Sequence, residues 1–288
     1  MPDGYVYRSV VDRGSITVRL ETLRDPDERI RWERVAAVQR LAQEGNGEGV
    51  KALLAHVHEW PDEASVLRWG AYLSEALGAA EAAESLWKRV VNLEEASDAR
   101  SALARFALER GQLNDAQTHL DVLLTDTPEH GEGWLLRGIL YMQRQAYADA
   151  TSAFEAALRH GGNARRARMA SGMAALGQGT LDRAWMEFTE VLSVHPDDAE
   201  AMHWVLRTGT VLERWAEVFV LLQRFVDRNP GDLSMRFALA GVSLRLGRHD
   251  VARVHYDAVR LLDPAHDGLP ELIKALDEHD TYVMPHGR

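Results

Sequence analysis

Apolar residues recur along most of this chain at the three- and four-residue spacing of amphipathic helices, between glycine- and proline-containing breaks. Residues 5–22 differ, because YVYRSVV and ITVRLE alternate and contain β-branched residues and tyrosines. Alternation of this kind predicts a short β-hairpin that turns at Asp12 to Ser15. The pattern therefore predicts an almost wholly helical chain, with a small β contribution before residue 25.

The prolines reveal a period. Pro196, Pro230 and Pro264 are each 34 residues apart, and Pro128 lies 68 residues before Pro196, with the helix breaker Gly162 at the midpoint. If proline is position 32 of a 34-residue unit, the units start at Ser97, Gly131, Arg165, Ala199 and Leu233. A period of this length indicates a stack of helical hairpins.

Other positions of the unit then repeat without adjustment. Position 20 is small, which lets two helices approach closely; position 24 is large and fills the gap to the next hairpin; and position 15 is the turn between the helices. Position 20 is Ala116, Ala150, Ala184, Val218 and Ala252; position 24 is Leu120, Phe154, Phe188, Leu222 and Tyr256; position 15 is Gly111, Gln145, Gly179, Glu213 and Gly247.

The unit from Gly131 resembles the tetratricopeptide repeat (TPR). The family's preferred Trp, Gly, Tyr, Ala, Phe and Ala are present here, whereas Arg137 replaces the usual leucine and Gly162 the usual proline; the matching residues are Trp134, Gly138, Tyr141, Ala150, Phe154 and Ala157. The resemblance implies an all-α fold, a right-handed superhelical solenoid of antiparallel helix pairs, here preceded by the short β-hairpin.

Three segments follow from this register. Residues 1–29 contain the hairpin, which either packs on the first helices or adds to a partner's sheet. Residues 30–266 form about seven TPR-like hairpins; the unit from Ala64 fits well, whereas residues 30–63 fit loosely and also resemble a HEAT-type hairpin. Residues 267–288 contain a capping helix, which covers the last repeat, and a tail, TYVMPHGR.

Composition excludes several classes of function. The net charge of −11 argues against binding to nucleic acid or anionic lipid. Without cysteine there is no disulfide and no thiolate metal site. No apolar run has the length of a signal peptide or a membrane span, so we expect a cytoplasmic protein with no membrane insertion.

No motif points to catalysis. The sequence contains no phosphate-binding loop and no HExxH, and GNGEG at 45–49 is expected to be a turn. His56 and His58 point in different directions on a helix and cannot chelate one metal. We therefore expect no enzyme activity, no cofactor and no metal site.

The resemblance also implies where a partner binds, because positions 2, 5, 9 and 12 of the first helix of each TPR line a concave groove. The middle of the groove is expected to be apolar and solvent-facing, which typifies a contact surface, and arginines flank it. The candidate partner-binding residues are Arg68, Tyr72, Arg105, Leu135, Ile139, Met142, Met169, Met173, His203 and Arg207, with Leu176 completing the apolar set and Trp69 and Trp204 adjacent. If the superhelix is tight or the register is off by one, the apolar members are core instead.

The expected function is that of an adaptor or assembly factor that binds another protein or peptide. The Lys and Asn that some chaperone-binding TPR domains use are missing. The alternatives are a structural subunit that uses its convex face and hairpin, and a regulatory protein that senses a peptide or ligand. A homo-oligomer is compatible with the sequence, but nothing in it indicates one.

Overall fold

The computed structural model describes residues 6–12, 15–21 and 26–283, and the side chains from Ile30 to Asp277. The described residues form two strands, fifteen α-helices and one short 3-10 helix, Val57–Glu59. The strands are β1 (Val6–Asp12) and β2 (Ser15–Glu21). The helices are α1 (Pro26–Gln43), α2 (Gly47–Leu54), α3 (Ala64–Ala76), α4 (Ala80–Leu93), α5 (Ser97–Glu109), α6 (Leu113–Asp126), α7 (Gly131–Gln143), α8 (Tyr147–Arg159), α9 (Ala164–Gly177), α10 (Leu181–Val194), α11 (Ala199–Val211), α12 (Trp215–Arg228), α13 (Leu233–Arg245), α14 (His249–Leu262) and α15 (Leu269–Val283).

The two strands pair antiparallel, with Val6 opposite Glu21 and Asp12 opposite Ser15. The backbone of β1 lies near α1 and α3. The end of the expected tail, from Met284 onward, lies outside the described residues.

The chain divides into two compact units. The first contains residues 1–144 and 159–162, and the second contains residues 145–158 and 163–288. Within each unit, helices that follow one another in the chain pack together, for example α3, α4, α5 and α6 in the first unit and α9 to α15 in the second. We call the first helix of each repeat an A helix (α3, α5, α7, α9, α11, α13) and the second a B helix (α4, α6, α8, α10, α12, α14).

The turn between the A and B helices is left-handed at position 15 of every repeat. Its φ is between 70° and 75° at Gly78, Gly111, Gly179 and Gly247, 59° at Gln145 and 56° at Glu213. The predicted turn position is therefore confirmed, even where the residue is not glycine. The two side chains accept a conformation that L residues disfavour because the packing of the hairpins imposes it.

The small and large signature positions are buried as the sequence predicts. Ala83, Ala116, Ala150, Ala184, Val218 and Ala252 are all 0% exposed. The position-24 residues are also in the core, with Phe154, Phe188 and Leu222 at 0% and Tyr256 at 5%. Burying a side chain of this size stabilises the fold by roughly 1.5–3 kcal/mol, so these residues dominate the packing between helices.

The first helical hairpin departs from the repeat. Helix α1 begins before Ile30, α2 has only 8 residues, and the 3-10 helix follows it. Trp60 is 1% exposed and lies so close to Gly70 that a Cβ there would collide with its ring. Arg89 donates hydrogen bonds of 2.6 Å to the carbonyl oxygens of Val57 and Trp60. These contacts attach the irregular hairpin to the regular repeats.

Helix α15 covers the last repeat. Leu269, Leu272 and Leu276 are buried together with Tyr256 and Val259 of α14. This contact removes from water the apolar surface that a following repeat would otherwise bury.

We expect Leu276→Ala to lower the free energy of unfolding by about 2–5 kcal/mol, because this side chain is 1% exposed and its loss leaves a cavity. Chemical denaturation measures the change. Glu271→Ala, at an exposed site on the same helix, should change stability by less than about 0.5 kcal/mol. Equal effects of the two substitutions would show that α15 does not cap the last repeat.

We expect stability to depend on pH through His255 in α14. This residue is 8% exposed, and burial, followed by the charge of Arg236, lowers the pKa of its imidazole. The unfolded chain takes up a proton near pH ~6.5, whereas the folded chain takes it up only at lower pH. The contribution is therefore fully present above about pH 6.5 and is lost as pH falls toward the folded pKa.

Thermal denaturation on both sides of about pH 6.5 tests this expectation, and His255→Gln should reduce the loss at the acidic side. The exposed His203→Gln serves as the control. An unchanged pH dependence in His255→Gln would contradict the assignment.

Candidate functional site

Two of the candidate residues of the first unit lie on α3 and are bound to the next repeat. The Arg68 guanidinium pairs with Glu94 and Asp98, each at 2.7 Å. The Tyr72 hydroxyl donates to Asp98 Oδ2 at 3.1 Å, and the residue is 52% exposed. Burial and then the Asp98 carboxylate raise the pKa of Tyr72 to about 12.

A second polar group links α3, α4 and α5. Trp87 Nε1 donates to Glu75 Oε1 at 2.6 Å, and Arg105 Nη2 pairs with Glu75 Oε2 at the same distance. The Arg105 guanidinium also lies 4.6 Å from the centre of the Phe106 ring. Arg68 and Arg105 are therefore neutralised within the chain, which sequence spacing did not reveal.

The apolar candidates divide by their position in the repeat. Leu135 and Met169, both at position 5, are 1% and 6% exposed, so the expectation that they face solvent is wrong. Apolar side chains at this position turn into the seam between helices, because burial there is favourable. The candidates at positions 9 and 12 are half-buried: Ile139 and Met142 on α7, and Met173 and Leu176 on α9.

In the second unit, Met173 and Leu176 pack on the same core cluster as Trp204. Trp204 is half-buried and stacks on Phe188, with 5.7 Å between ring centroids and 20° between planes. His203 and Arg207 are exposed on either side of it, and the Arg207 guanidinium lies 5.2 Å from the centre of the Trp204 ring.

The next A helix carries an exposed glycine at position 9. A Cβ built on Gly241 would meet no atom within 4 Å. Gly172 and Gly209, in contrast, would place a Cβ against the Phe188 ring and against Val218 and Trp185. The packing of the chain therefore requires glycine at those two sites and does not require it at Gly241.

The sequence matches a family model along much of this region. The tetratricopeptide-repeat model matches residues 101–159, 135–188 and 221–267. The chain contains tetratricopeptide repeats in these segments. Members of this family generally mediate contacts between proteins. Comparison with curated proteins gave no significant match.

Three solved TPR structures are similar in fold. A TPR protein from Parabacteroides merdae shares 17% identity at a TM-score of 0.55, over 85% of this chain and 98% of that one. The C-terminal part of a TPR protein from Cytophaga hutchinsonii shares 12% identity at a TM-score of 0.62, over 84% of this chain and 99% of that one. YrrB, a TPR protein with an unusual peptide-binding site, shares 16% identity at a TM-score of 0.52, over 67% of this chain and 97% of that one. At these identities the similarity concerns the fold alone.

Among the described residues, no group of three or more His, Asp or Glu side chains is arranged to hold a metal ion. No helix in that part of the chain is both long enough and apolar enough to cross a bilayer.

Gly241 was not among the residues that the sequence singled out. Its position in the repeat could be read from the register, but glycine is also common at packed helix contacts. Only the structure distinguishes a glycine that close packing requires from one beside open space, because the space around a glycine depends on its neighbours in three dimensions. The sequence predicts only that Trp204 lies adjacent to the groove, because its stack on Phe188 joins different repeats.

The two methionines of α9 provide a test of this geometry. Met169→Glu should destabilise the protein by several kcal/mol, because it buries a charge in the core of the second unit. Met173→Glu should cost less than about 1 kcal/mol, because its carboxylate can reach water. Urea denaturation of both variants measures the difference. Equal costs would mean that the rotation of α9 differs from that described.

Proposed function

We propose that this TPR protein is an adaptor that holds an apolar segment of a partner protein against the A helices of its second unit. The proposed contact surface, which we call the inner face, consists of Met173, Leu176, Trp204, Arg207 and Gly241. It combines half-buried apolar side chains with an exposed arginine and an open stretch of helix backbone.

The proposal depends most on the open space beside Gly241. Glycine inside a helix costs roughly 0.5–1 kcal/mol relative to alanine, and the surrounding chain has room for a methyl group. The destabilising residue therefore lacks an explanation within the fold. Glycine permits close approach of another backbone or of a bulky side chain, so a bound partner segment would account for it.

The neighbouring side chains suit an apolar partner. Met173 is flexible and polarisable, which allows it to adapt to different side chains. Trp204 is held by its stack on Phe188, so its exposed part binds at little cost in conformational entropy. Tryptophan and arginine are also the residue types that often contribute most to protein interfaces.

The remaining candidates take different roles in this proposal. His203 lies beside Trp204 at the edge of the inner face. In the first unit, separately, Tyr72, Ile139 and Met142 are accessible enough to contact a partner. Arg68 and Arg105 orient Tyr72 and Glu75 through their ion pairs, whereas Leu135 and Met169 support the A helices from within the core.

The test begins with a ligand for the purified protein. Peptides selected from a random library displayed on phage should be rich in apolar residues, and fluorescence anisotropy then measures their affinity. Gly241→Ala should stabilise the protein by roughly 0.5–1 kcal/mol and yet weaken peptide binding. Gly241→Gln should weaken binding about tenfold or more, because it fills the space that the peptide occupies.

Gly231→Gln is the matched control, since Gly231 also has no atom within 4 Å of a built Cβ but lies in the turn before α13. It should leave binding unchanged. Failure to select any peptide, or equal binding by Gly241→Gln and the unmodified protein, would show that the inner face is not the binding surface.

A further inference from the structure

Three B helices of the second unit, α10, α12 and α14, carry a row of exposed apolar side chains at one repeat position. Met186, Val220 and Val254 occupy position 22 of successive repeats, 34 residues apart, and are 66%, 45% and 64% exposed. In the three preceding repeats the same position holds Ser85, Thr118 and Ser152. Because hydroxyl residues satisfy this position elsewhere in the chain, the fold does not require an apolar one.

The charges around the row are arranged with a definite symmetry. On α10, Arg183 and Glu190 lie three residues before and four residues after Met186, on the same face of the helix. On α12, Glu217 and Arg224 have the same spacing about Val220, with the signs reversed. At these spacings α10 and α12 each present an apolar centre between one positive and one negative side chain; Asp182, also on this face of α10, is paired with Arg214.

This pattern is self-complementary. When a helix face of this kind meets its own copy antiparallel, each positive end lies opposite a negative end and the apolar centres meet. A twofold axis along the row would bring all three B helices onto their own copies at once, as an isologous interface requires. On α14 the corresponding residues are Val251, Val254 and Ala258, which are apolar, while the exposed Asp250 and Asp257 bring two carboxylates to the same helix face.

We propose that this row is an interface between two copies of this chain, related by a twofold axis along Met186, Val220 and Val254. Across it, Arg183 pairs with Glu190 of the other copy, and Glu217 pairs with Arg224 of the other copy. Each apolar residue contacts its own counterpart. This interface lies on the B helices and is separate from the inner face.

The ion pairs already present are compatible with this arrangement. Arg183 contacts Glu155, Glu190 lies 3.5 Å from Arg168, and Glu217 lies 3.4 Å from Arg214. All are at the surface, where such pairs contribute little and exchange partners readily. Arg224 is exposed and has no ion-pair partner among the residues from Ile30 to Asp277. A partner carboxylate from a second copy would supply the missing contact.

Three B helices per copy form a small interface, so we expect a reversible dimer with a dissociation constant in the micromolar range. Sedimentation velocity of the full chain across that range should show a mass that rises from one chain toward two. A protein that stays monomeric over this whole concentration range would overturn the proposal, even if a different protein were to bind the row.

Substitution of the row tests its apolar part. Met186→Ser, Val220→Ser and Val254→Ser together should abolish the dimer and leave the melting temperature of the dilute protein nearly unchanged, because serine and threonine occupy this position in other repeats. Val211→Ser is the control, since this valine is 63% exposed but lies on α11. Unchanged dimerisation of the folded triple variant would contradict the assignment.

A charge exchange tests the symmetry. Arg224→Glu should weaken the dimer about tenfold or more, because the twofold axis places a like-charged pair at two points. Adding Glu217→Arg should restore the dimer, since α12 then again carries one charge of each sign about Val220. If α10 instead paired in parallel with α12 of the other copy, the double variant would place Arg183 against an arginine at position 217 and stay weak. A double variant no stronger than the single one would therefore rule out the proposed axis.

Discussion

Each helical hairpin in this chain is stable only because its neighbours bury its apolar side. The contact depends on two residues per repeat: a small one such as Ala184, which lets the helices approach, and a large one such as Phe188, which fills the space beyond. Both are fully buried, and the left-handed residue at position 15 orients the second helix to make the contact. The packing even imposes that conformation on Gln145 and Glu213, so it outweighs local preference.

Because packing between hairpins uses only these few positions, the rest of each helix surface is available for other contacts. In the first unit, much of that surface is used internally. Arg68, Asp98 and Tyr72 join one repeat to the next, and Glu75 joins Trp87 to Arg105. Individually such surface pairs contribute little, but they fix the rotamers of long side chains and reduce the number of free charges.

In the second unit, the accessible surface is less polar and differs between the two helix layers. The A helices carry Trp204, stacked on Phe188, and the open backbone at Gly241. The B helices carry exposed side chains such as Met186 and Val254, each near charges of opposite sign or near other apolar residues. Since neither feature is needed for packing between repeats, both are better explained by contacts with other molecules. A scaffold with two such faces could bind a partner on one and a second copy on the other.

The helical repeat, the turn position and the buried signature residues are predictable from the amino-acid sequence, because these depend on spacing within one hairpin or between adjacent ones. A small residue at Ala184 and a large one at Phe188 are readable from the register alone. The tertiary structure decided which apolar residues of the A helices face water. Leu135 and Met169 are buried and Met173 is half-buried, although all three occupy expected groove positions, because side-chain direction depends on the neighbouring helix. The tertiary structure also shows that Arg105 is already paired, because its partner Glu75 lies about thirty positions away in the chain. It shows as well that Gly241 is not packed, because the empty space beside a glycine is not encoded in any local pattern.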